Sequence, residues 1–118
     1  MHLLERRIVM LLMAASGAAC GSAELQQSRQ HQVNQALWAA EQAGAQRDPR
    51  GAQLLEQARR EVMAARATAD DGDERNAALL LDRAEADSRL ALQIARTSAE
   101  RQRARRAWEE LGAARSEF

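Results

Sequence analysis

The chain has 118 residues, and its 17 basic and 17 acidic side chains leave no formal net charge. That length gives room for one small domain and excludes a large enzyme core. Electroneutrality argues against a nucleic-acid partner, which needs a basic face to neutralise phosphates, and the lack of any lysine removes Schiff-base chemistry and amine cross-linking to a cell wall.

From the amino end, His2, Arg6 and Arg7 form a basic region, Ile8 to Ala15 an apolar run, and Ser16-Gly17-Ala18-Ala19 a small-residue stretch before Cys20. That order marks a secretory signal over residues 1–19, and the apolar run is far shorter than the ~20 residues a bilayer-spanning helix needs. Gly17-Ala18-Ala19-Cys20 resembles the lipobox of bacterial lipoproteins, with Gly17 where that pattern favours Leu. The resemblance implies cleavage between Ala19 and Cys20 and a lipidated Cys20 carrying acyl chains such as palmitate. An ordinary signal peptide followed by a chance cysteine is the competing reading. The chain's only cysteine falls at this one position, which favours lipidation and leaves no intramolecular disulfide to form. Two or three acyl chains hold a protein at a bilayer where one holds it only marginally. Gly21 rather than Asp follows Cys20; by resemblance to sorting in Gram-negative lipoproteins, this implies the periplasmic face of the outer membrane over retention at the inner one.

Residues 20–24 read as a lipidated terminus and short polar tether, and 25–118 as an α-helical periplasmic domain. Ala, Arg, Leu and Glu make up more than half of the chain from Cys20 onward, the composition of long or paired helices. A first helix is predicted from about Leu25 to Ala43, with Val33, Leu37, Ala40 and Gly44 spaced by four, three and four on one narrow stripe. It ends near Gly44. Asp48-Pro49 restarts the chain, Asp as an N-cap and Pro at the first helical position, where a missing N–H costs nothing.

A second helix then runs from Pro49 to about Ala69, with Leu55, Ala58, Val62, Ala65 and Ala69 on a heptad seam. Asp70-Asp71-Gly72-Asp73 breaks it, Gly72 taking a positive φ and Asp73 capping the next helix. From Glu74 to about Leu111 nothing interrupts this third helix, whose seam reads Ala77, Leu80, Ala84, Asp87, Ala91 and Ile94. Asp87 on that seam is expected to lean to the edge or to meet an arginine of the second helix, such as Arg59 or Arg66, with simple solvation as the plain alternative. The helices differ in length, so a hairpin closed at Gly72 leaves the third helix projecting past the second from about Arg96. The predicted fold is all-α: an antiparallel hairpin or three-helix bundle with coiled-coil-like seams and a long C-terminal helix.

Pro49-Arg50-Gly51-Ala52-Gln53-Leu54-Leu55-Glu56-Gln57-Ala58, Ala64-Ala65-Arg66-Ala67, Asp71-Gly72-Asp73-Glu74-Arg75-Asn76-Ala77 and Ala84-Glu85-Ala86-Asp87-Ser88-Arg89-Leu90-Ala91 occur in that order behind the lipobox. Together they resemble the family called domain of unknown function 4398, over about Ala36 to Leu111. The resemblance implies a small helical lipoprotein of the bacterial envelope. It implies no activity.

Few residues carry chemistry. His31 has no second His or Cys at metal spacing, and Asp70, Asp71 and Asp73 lack the twelve-residue spacing and terminal Glu of a calcium loop. No phosphate loop, nucleophile elbow or catalytic carboxylate pair is present, so neither an enzyme nor a cofactor is expected. The uneven feature is Arg96, Arg101, Arg103, Arg105 and Arg106, opposed by Glu100 alone until Glu109, with Trp108 close behind. A solvated helix surface is the plain explanation. The functional one takes Arg101, Arg103, Arg105, Arg106 and Trp108 as a contact for an envelope protein, for peptidoglycan, or for a second copy in a homo-oligomer, since Arg and Trp are enriched at contact centres. The sequence therefore points to an outer-membrane lipoprotein with a structural or adaptor role. A self-assembling helical lipoprotein is the alternative, and a periplasmic enzyme or ligand carrier the least supported class.

Overall fold

The computed structural model describes residues 23–118, and over them the fold is all-α. Helix α1 occupies 23–42, a 3-10 turn Ala45–Arg47, α2 Pro49–Asp70 and α3 Glu74–Ser116. The boundaries reflect local chemistry. Gly44 turns the chain with φ +84°, a left-handed conformation that costs a residue bearing Cβ about 1–2 kcal/mol. The Asp48 carboxylate accepts from the Arg50 backbone N–H at 2.9 Å with Pro49 in the first turn of α2. That hydrogen bond, ahead of the Arg50 side chain, holds Asp48 below the ordinary carboxylate range. Gly72 adopts φ +86° between α2 and α3, and Asp73 caps α3 by accepting from the Asn76 N–H at 3.2 Å. Residues 23 and 24, expected in the tether, are already helical, as good helix formers such as Ala23 and Glu24 allow.

The three helices pack side by side through small residues. One core cluster joins Val33 of α1, Ala58, Val62 and Ala65 of α2, and Leu81 and Ala84 of α3; a second joins Ala40, Ala45, Leu55, Ala91 and Ala95. The α1 and α2 stripes are those expected, apart from Leu37, Gly44 and Ala69, which are half-buried. The α3 seam is different. Its buried positions are Ala77, Leu81, Ala84, Ser88, Ala91 and Ala95, so Leu80, Asp87 and Ile94 each give way to the next residue and sit half-buried at the edge. At two of these steps the seam takes Ser88 in place of a charge and Ala95 in place of the bulkier Ile94, whereas Leu80 and Leu81 differ only in position. Buried Ser88 settles its hydroxyl by donating to the Ala84 carbonyl at 2.7 Å.

Gly51 sets the closest approach. A Cβ there would stand 2.2 Å from the Ala45 carbonyl oxygen, so the 3-10 turn can lie on the first turn of α2 only because that position has no side chain. The turn also lengthens the bundle beyond expectation. Thr97, Ser98 and Ala99 stay half-buried beside it, and α3 projects freely only from Glu100 onward. At ~1.5 Å per residue, the helical part of that overhang is about 25 Å long.

Charged groups decorate the outside. Arg29 of α1 pairs with Asp82 of α3 at 2.7 Å, Arg59 of α2 with Glu41 of α1, and Arg89 with Glu85 at 2.5 Å. Such exposed pairs contribute about 0–1 kcal/mol each. The two that reach α1, through Arg29 and Glu41, help to place it against the α2–α3 hairpin. The amide oxygen of Gln30, oriented to satisfy both groups, accepts from Arg66 Nε and Nη2 at 2.8 and 2.9 Å. Both arginines expected to meet Asp87 are therefore turned toward α1.

Candidate functional site

Ala19 and Cys20, the proposed cleavage and lipidation site, lie outside the described residues. Arg101, Arg103, Arg105, Arg106 and Trp108 all lie on the overhang and are exposed, Trp108 by 72%. They do not form one surface. Helical residues advance by about 100°, which puts Arg101, Arg105 and Trp108 along one side and Arg103 and Arg106 on another. Among the described residues the ion pairs join side chains between Arg29 and Arg89, so none engages these arginines. The rotation per residue fixes these azimuths, which is why a cluster in sequence is not one patch in space.

The same rotation exposes an organised feature that counting arginines overlooks. Leu90, Ile94, Thr97, Arg101, Ala104, Trp108, Leu111 and Arg115 alternate in steps of four and three, a second heptad stripe on α3 beside its buried seam. Leu90, Trp108 and Leu111 are 52, 72 and 44% exposed. Within the bundle this stripe borders an open groove of about 790 Å³ lined by α2 and α3, with Leu54, Leu90 and Ile94 at its floor and Arg50 and Arg60 among its polar lining. The stripe then leaves the bundle and runs along the overhang without a break. Its signal in the sequence was the pair Leu90 and Ile94, which the single-seam reading divided.

One helical turn further along the groove lies a pair of carboxyl groups that the sequence reading half found. Glu61 is buried, and its Oε1 accepts from Gln57 Nε2 at 3.1 Å while its Oε2 has no hydrogen-bond partner. Burial pushes its pKa up. The Asp87 carboxylate adds to that shift and Arg83 offsets part of it. Asp87 thus faces a second acid across the hairpin instead of an arginine. Glu61 was missed because it adjoins Val62 on the seam and reads as an ordinary flanking charge.

His31 is exposed on α1, and no group of three or more His, Cys, Asp or Glu side chains converges among the described residues. Asp71 and Asp73 act as helix caps. No helix among the described residues is long and apolar enough to cross a membrane. The arrangement offers surfaces for helix packing: a groove, a stripe and an overhang. No family model, curated protein or solved structure matches this chain.

Proposed function

We propose that the chain is a lipoprotein of the bacterial outer membrane, anchored through Cys20 at the periplasmic face, whose helical bundle is a structural or adaptor component of the envelope. The observation that carries this reading is the position of the chain's only cysteine, behind a basic region, an apolar run and three small residues. The resemblance to the domain of unknown function 4398 agrees with it.

The bundle's polarity fits such a role. Gln26 and Gln30 of α1 lie beside Ala69 and Asp70, at the end of the bundle that carries the α2–α3 turn, while the overhang leaves from the opposite end. A chain tethered ahead of α1 would present that turn to the bilayer and project residues 100–118 away from it. In this reading acyl chains do the anchoring, and the overhang is the element that reaches a partner.

Metabolic labelling with a fatty acid tests the anchor. The native chain should take up label and fractionate with outer membranes, and Cys20→Ala should do neither. An unlabelled, uncut chain in the cytosol defeats the proposal.

A further inference from the structure

We infer that the partner of the overhang is a second copy of this chain, each copy laying its overhang antiparallel in the other's α2–α3 groove. The inference rests on the overhang being the contact element of the proposed lipoprotein, and it is independent of whether Cys20 is lipidated.

The first argument is continuity. Groove and overhang share one heptad stripe, so a helix that fits the groove against Leu90 and Ile94 must present apolar residues in steps of four and three. The overhang does so with Ala104, Trp108 and Leu111. An antiparallel alignment about a two-fold axis near Arg101 places Trp108 and Leu111 of one copy beside Ile94 and Leu90 of the other. Each overhang then takes the place of a fourth helix packed on the hairpin, and the symmetry forms both contacts at once.

The second argument is charge. The overhang is basic in its first half, from Arg101 to Arg106, and acidic further on at Glu109, Glu110 and Glu117. The groove bears Arg50 and Arg60, which pair with Asp48 and Glu56, and Glu56 itself lines it. The antiparallel alignment sets the two basic segments against each other near the axis, so the favourable charge contact lies at the far end of the overhang. It also brings Arg115 to the level of Asp87, whose neighbour Glu61 holds the unpartnered carboxylate oxygen. A guanidinium at that point meets two acids, of which Glu61 is offset within the chain by the Gln57 amide and by Arg83.

The test uses the full chain in a mild non-ionic detergent, with mass measured by light scattering during size-exclusion chromatography. The native chain should be a dimer at tens of micromolar. Trp108→Ser with Leu111→Ser should make it monomeric while circular dichroism stays unchanged, because both side chains are solvent-exposed in a single copy. Arg115→Glu should weaken the dimer by about tenfold or more, and adding Asp87→Arg should restore it, as expected for a close charge pair across an interface. A native monomer, a dimer indifferent to the double substitution, or a charge exchange that restores nothing would each overturn the inference. Fatty-acid labelling of the same preparations reads the anchor separately, so a failed dimer and a failed anchor are told apart.

Discussion

The two halves of α3 make the same backbone from opposite resources. From Glu74 to Ala99 the helix is held by a seam of Ala77, Leu81, Ala84, Ser88, Ala91 and Ala95 against two neighbours. From Glu100 to Ser116 it has no packing neighbour within the chain, and every residue is exposed. Isolated helices of this length are marginal in water, and here continuity comes from strong formers such as Ala, Arg, Glu and Gln and from extension of an already nucleated helix. Packing energy therefore resides in the first half, while the second is rigid enough to project but contributes little to the fold.

Truncation should separate the halves most sharply. Leu55, Leu81, Val33 and Ser88 are the largest fully buried side chains, so the core has few large members to lose. Leu81→Ala is expected to cost about 2–5 kcal/mol in denaturant unfolding. Leu111→Ala, measured in dilute solution where association is absent, should stay within ~0.5 kcal/mol. Equal losses at the two sites would show that the overhang is part of the cooperative core.

A smaller effect is expected at the closed end of the bundle. Gly51→Ala forces a methyl group onto the Ala45 carbonyl oxygen and should cost about 1–3 kcal/mol. Gly112→Ala on the overhang meets open space and should add helix stability, by about 1 kcal/mol at most. Opposite signs in thermal melts are the expected result. A common sign would mean that the first turn of α2 has room for a methyl group or that the overhang does not.

The pH dependence offers a finer contrast. Glu61 has a raised pKa in the folded chain, so its contribution to stability is fully present below the ordinary glutamate range and is lost as pH rises through its raised value. Asp48 runs the other way. Its lowered pKa supplies stability above the ordinary aspartate range that is lost as pH falls. Glu61→Gln should therefore stabilise the chain at neutral pH by ~1 kcal/mol and be nearly neutral in acid, where the native carboxyl is already protonated. Unfolding curves at the two pH values check this. A constant difference between them would place the Glu61 effect in packing.

Much of the bundle was legible because its punctuation is chemical. Asp48-Pro49, Gly72 and Asp73 act through local backbone geometry, which neighbouring residues fix, and α2 offers only one sensible apolar stripe. On α3 the pattern is degenerate. Leu80 and Leu81, Asp87 and Ser88, and Ile94 and Ala95 are adjacent pairs, and a heptad count started at Ala77 accepts the first member of each as readily as the second. The neighbours decide: α1 and α2 come close enough that Ser88 and Ala95 fit, and Ile94 is displaced to the groove. The contact surface was partly legible for a related reason. Arg101 to Trp108 marks the correct segment, but a run of charge in sequence does not say which residues share an azimuth, and the groove that completes the stripe depends on how α2 and α3 meet.

Because α3 passes from bundle to open solvent without a kink, its residue count works as a ruler and its remainder as a compass. Seven residues inserted after Ala99 would lengthen the rod by about 10 Å and return Trp108 to within about 20° of its bearing, whereas five would add about 8 Å and swing it by about 140°. Reach and aim are separately adjustable in such a rod, so chains of different length could span different gaps while offering the same side to whatever they touch.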